Sequence, residues 1–103
     1  MMEGHPYKFR ILELLEINGS MWNSDMVRIL QEEYKMPSSY HRDCLNFDII
    51  EVAASGMIAE EDAMIDVDGS FKSGGLLTKY HITPIGIDLL NELKTKIRTI
   101  RGA

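Results

Sequence analysis

Cysteine, proline and tryptophan are scarce in this 103-residue chain, at one, three and one residues, and cations are outnumbered by acids, eleven Lys and Arg to sixteen Asp and Glu. A single cysteine excludes an intramolecular disulfide and suits a reducing compartment. No stretch reaches the roughly 18 uninterrupted apolar residues of a membrane span. The N-terminal MMEGHPYKFR lacks the basic-then-apolar order of a secretory signal. The net charge of −5 is unfavourable for a polyanionic partner unless the basic residues gather on one face. Apolar residues at 45% suffice for one modest core. The expectation is a soluble, cytoplasmic, single-domain protein spanning residues 1–103 with no membrane contact.

What the chain does have is a clear change of pattern along its length. YKFRILELLEI (7–17) places Tyr7, Ile11, Leu14 and Leu15 on one helical face, and Phe9 and Leu12 widen it, so this helix should be contacted from more than one direction. Asn18-Gly19 stops it. SMW (20–22) reads as a short connection, and Asn23 or Ser24 as the cap of a second helix over Asp25–Tyr34. Met36-Pro37 ends that helix, Ser38-Ser39 offers a fresh cap, and a third helix runs from Tyr40 to Ser55 before Gly56. AMIDVD (63–68) and LLTKYHIT (76–83) then alternate as strands around the Gly/Ser-rich GSFKSGG (69–75), predicting a hairpin with a long, mobile tip. Thr83-Pro84 ends the second strand and starts a last helix to about Ile100, Thr as cap and Pro at the first helical position. The predicted class is α+β, in the order helix, helix, helix, strand, strand, helix.

Several chemical readings fail on spacing. Aligning Gly69 of DVDGSFKSGG with the invariant glycine of a calcium loop puts Met64 at the first ligand position and Gly75 where a bidentate Glu is needed. The same glycines lack the G-x-x-x-x-G-K-[ST] order of a phosphate loop. His41 and Cys44 share a helical face, but further metal ligands would have to come from Asp48, His5, His81 or a partner subunit. Cys44 therefore reads as a buried small hydrophobe, and no metal, cofactor or catalytic constellation is expected.

Three short helices followed by a hairpin is the order of a winged helix-turn-helix domain. SSYHRDCLNFDIIEVAASGMI resembles a recognition helix ending in a small residue, Gly and two apolar residues. KYHITPIGIDLLNEL resembles the second wing strand running into a Thr-x-x-Gly helix start, as in the MarR and PadR groups and many archaeal regulators. The likeness covers roughly residues 7–100. It departs from the PadR pattern at Tyr40, which is followed by His41 where that group carries Pro. The resemblance implies a dimeric regulator of transcription that places its third helix in the major groove of double-stranded DNA, with the wing beside it.

At about 100° per residue, Leu45, Ile49 and Val52 face the core, while Arg42, Asp43 and Asn46 form a polar strip in the half that meets base edges in such docking. Arg pairs with guanine and Asn with adenine. Ser38 and Ser39 at the helix start, Lys35 before it and Lys72 at the hairpin tip complete the expected DNA-contacting set. Lys8, Arg10 and Arg28 would supply supporting charge. Tyr40, Cys44, Phe47, Ile50 and Ala54 form a second apolar stripe, which the hairpin or the last helix should cover, or else a second subunit. Leu93, Ile97 and Ile100, spaced 3, 4 and 3 from Leu90 onward, continue an a/d seam and predict homodimerisation through the last helix. The rival reading is a winged-helix protein-interaction module without DNA binding, which both the charge and the second stripe favour.

Overall fold

The helix-forming run at the start of the chain becomes α1, His5–Asn18. The computed structural model describes the backbone of residues 5–72 and 74–102 and the side chains of 7–72 and 74–96. Ile11, Leu12, Leu14 and Leu15 are all buried, so α1 is packed on more than one side as its wide apolar surface demands. It stops where Asn18-Gly19 predicts. The Asn18 amide donates to the Leu14 carbonyl at 2.9 Å, and Gly19, at φ +86°, donates its N–H to the Leu15 carbonyl at 2.8 Å.

The SMW connection is a strand, β1, Ser20–Trp22. Three residues are too few for periodicity to register. α2 follows at Asn23–Glu33. The Asn23 side chain caps nothing. It is buried, accepts from the Thr78 N–H at 2.9 Å and donates to the Asn46 side-chain oxygen at 2.9 Å. α3, Ser39–Ala54, is capped by Ser38, whose hydroxyl accepts from the His41 N–H at 3.1 Å.

β2 spans Ile58–Ile65, five residues ahead of the expected start, and residues 66–68 belong to the turn. The acidic run Glu60-Glu61-Asp62 hides the alternation, because the register shifts between Glu60 and Asp62. The sheet order is β1-β3-β2, all antiparallel, so β2 is an edge strand where exposed carboxylates are tolerated. β3, Leu76–Ile82, pairs with both neighbours.

The Thr83-Pro84 junction starts α4, Pro84–Gly102. The Thr83 hydroxyl accepts from the Gly86 N–H at 3.1 Å and donates to the Gly56 carbonyl at 2.6 Å. One side chain thus caps α4 and ties it to the turn after α3. A Cβ on Gly86 would run into the Met57 carbonyl oxygen, so this position takes only glycine without movement. The architecture is α+β, with four helices around a small sheet and a core of Ile11, Leu12, Leu15, Met26, Leu30, Leu45, Ile49, Val52, Ile58 and Leu90. Among the described residues no helix is long and apolar enough to cross a membrane.

Candidate interaction surface

α3 divides its sixteen residues between two environments. Leu45, Ile49 and Val52 face inward and are buried as predicted. The opposite side carries Tyr40 at 72% exposure, Phe47 at 57% and Ile50 at 48%, with exposed Asp43, Glu51 and Ala54 among them. Among the described residues neither the β2–β3 hairpin nor α4 covers this stripe, contrary to expectation. The hairpin instead crosses the flank that carries Arg42 and Asn46. Cys44 is half-buried rather than buried, and its hydrogen bond to Tyr40 holds that phenol above its ordinary pKa.

Arg42 points at the hairpin. Its guanidinium donates to the Phe71 carbonyl at 3.3 Å, lies 5.7 Å from the Phe71 ring centre and pairs with Asp43 at 3.1 Å. Lys72 adds a looser contact to Asp43 at 3.7 Å. The Arg42 hydrogen bond holds the Asp43 carboxyl below its usual range, and Lys72 contributes to the same effect. Asn46, the other expected base reader, is engaged by Asn23 at the foot of the hairpin. The two residues expected to read bases therefore hold α3 to its own neighbours.

The hairpin tip is built around Asp66, which is buried. Its carboxylate accepts from the N–H groups of Lys72 at 2.6 Å, Phe71 at 2.8 Å and Ser70 at 3.2 Å. These donors hold its carboxyl below the ordinary value, the Lys72 amide most strongly, against the opposing effect of burial. Asp66 is thus folded into the turn, leaving Lys72 exposed outside it.

Of the other expected contacts, Ser38 is occupied as the cap, its hydroxyl also 3.0 Å from the His41 ring. Ser39 is exposed at the helix start. Lys35 is exposed in a left-handed turn at φ 54° and has no ion pair among the described residues. The supporting cations are dispersed and paired. Arg10 grips Glu33 at 2.8 and 2.9 Å, Lys8 meets Glu51 at 3.2 Å, and Arg28 meets Asp25 at 3.0 Å. In α4, Leu93 is half-buried, whereas the side chains of Ile97 and Ile100 lie outside the described residues.

Between α3 and the hairpin runs a groove of about 790 Å³. Ile50 and Ala54 wall it on one side, Phe71 and Leu76 on the other, and Asn46 and Thr78 also line it. Sequence reading missed this groove because it depends on the angle between hairpin and helix. Its one legible sign was the second apolar stripe.

Two other groupings bring polar side chains together. Ser20 and His81 both bond the same oxygen of Glu61, at 2.9 and 3.0 Å, with Lys79 3.8 Å from the other oxygen. A hydroxyl and an imidazole sharing one carboxylate oxygen do not form a nucleophile–base relay, and the cluster ties the three strands together. His41 and Cys44 gather no third metal ligand among the described residues. No family model, curated protein or solved structure matches the chain.

Proposed function

We propose that the chain is a winged helix-turn-helix module whose third helix and wing receive a protein surface rather than read a duplex. The element order, with a hairpin following three helices and a fourth helix closing the domain, supports the winged-helix reading. One observation carries the functional choice: the outward side of α3 offers Tyr40, Phe47 and Ile50 flanked by Asp43 and Glu51, while Arg42 and Asn46 are spent on Phe71 and Asn23. A major-groove reader needs donors and cations on that side. Exposed aromatic and aliphatic side chains beside a groove are the makings of a protein interface.

The duplex reading keeps one specific support. Lys35, in the turn before α3, and Ser39, the first residue of α3, are both exposed on the approach to the end where a phosphate would meet the helix dipole. Fluorescence anisotropy of a labelled random-sequence duplex over a salt series decides between the two. The docking reading expects no binding at low salt. Binding that weakens linearly in log salt with a slope of several phosphates, and that is lost in Lys35→Ala with Lys72→Ala, would overturn it.

A further inference from the structure

We propose that the outward face of α3 is a homodimer interface, in which the α3 helices of two copies pack antiparallel about a two-fold axis beside Phe47. The inference rests on reading this face as a protein-docking surface, and names a second copy of the chain as its occupant.

The first support is self-complementarity. Reversing α3 about Phe47 brings Tyr40 to the level of Ala54 and Cys44 to the level of Ile50. The most exposed aromatic of the stripe, Tyr40 at 72%, thus meets the smallest side chain on it, and Ile50 at 48% meets half-buried Cys44. An isologous interface requires this reciprocity, residue i on j and j on i. A partner of another sequence would impose no such palindrome of sizes.

Charge is the second consideration. The same reversal relates Asp43 to Glu51, which would set like charges at corresponding levels. Both are neutralised within their own chain, Asp43 by Arg42 at 3.1 Å and Glu51 by Lys8 at 3.2 Å. They therefore approach as ion pairs rather than bare carboxylates. At the end of α4, the site of the earlier dimer expectation, Lys94 pairs with Glu16 at 2.8 Å, but the run itself is of one sign. Lys94, Lys96, Arg98 and Arg101 fall in eight residues without an acid, so parallel pairing of two α4 ends would gather like charge.

Area is the third. A stable interface takes about 800 Å² from each partner, and one helix stripe is short of that. The stripe continues into the groove, whose far wall includes Leu76 at 57% exposure. Ile65, at 56%, pairs directly with Leu76 and so lies on the same sheet face. A second α3 laid on the stripe would bring this wall into the interface and add to its area.

The test is sedimentation equilibrium of the full chain with paired variants, circular dichroism establishing that each is folded. Phe47 and Ile50 are exposed, so Phe47→Asp and Ile50→Asp should fold as monomers. We expect the wild type to dimerise, each of these variants to raise the dissociation constant about tenfold or more, and Ile97→Asp to leave it unchanged. In a Cys44→Ala background, Phe47→Cys should form an intermolecular disulfide under mild oxidation, while Ile87→Cys on α4 should not. A wild type that stays monomeric to roughly 100 µM overturns the inference. So does a dimer broken by Ile97→Asp but indifferent to Phe47→Asp, which returns the contact to α4. Either result leaves the docking reading standing; salt-dependent duplex binding removes both.

Discussion

Asn23 occupies the point where α2 begins, β3 passes and α3 turns its polar strip inward. Its amide is both acceptor for the Thr78 N–H and donor to Asn46, at 2.9 Å in each case. Asn23→Ala strands a buried backbone donor and one end of Asn46, so it should cost about 1–3 kcal/mol in chemical denaturation. Asn23→Asp would keep the acceptor and lose the donor, and should fall between the two. Asp66 makes a pH-dependent prediction. Its folded-state carboxyl is depressed by the N–H groups of Lys72, Phe71 and Ser70. Its stabilisation is therefore complete above the ordinary carboxylate value near about 4 and is lost as pH falls through the lower folded value. Asp66→Asn should lower Tm at neutral pH by on the order of 5 °C. The gap between variant and wild type should narrow below about pH 4. A gap that stays constant down to acid would mean that ionisation of Asp66 contributes nothing to the turn.

At the scale of elements, the punctuation was the legible part of the sequence. Gly19, Gly56, Ser38 and Thr83-Pro84 each mark a boundary that local backbone chemistry decides, and each is used as read. Gly86 is a sharp case, because the close approach of α4 to Met57 leaves no room for a side chain. Gly86→Ala should destabilise by about 1–3 kcal/mol, measured by urea unfolding, despite alanine's better helix propensity. The strands were harder to read. β1 is too short for a pattern, and β2 changes register within its acidic run, so that alternation looks continuous only from Ala63. Arg42 and Asn46 escaped for a different reason. A helical wheel gives the direction of a side chain but not the neighbour that lies there, and the hairpin's tilt is a tertiary fact.

For the molecule as a whole, α3 separates stability from recognition by face. Leu45 is 1% exposed and Phe47 is 57% exposed, two positions apart on one helix. Leu45→Ala opens a cavity in the core and should cost about 2–5 kcal/mol, a large part of the roughly 5–15 kcal/mol that holds a domain together. Phe47→Ala truncates a side chain that the isolated fold leaves mostly exposed and should stay within about 0.5 kcal/mol in dilute protein. A second copy binding only the folded state would alter this with concentration, since mass action raises the apparent stability of whatever it binds. The unfolding midpoint of the wild type should then rise with protein concentration, while that of Phe47→Asp stays flat. The contrast needs both arms. A midpoint that rises equally in the two would place self-association away from α3, and a midpoint flat in both would leave the exposed stripe to a partner of different sequence.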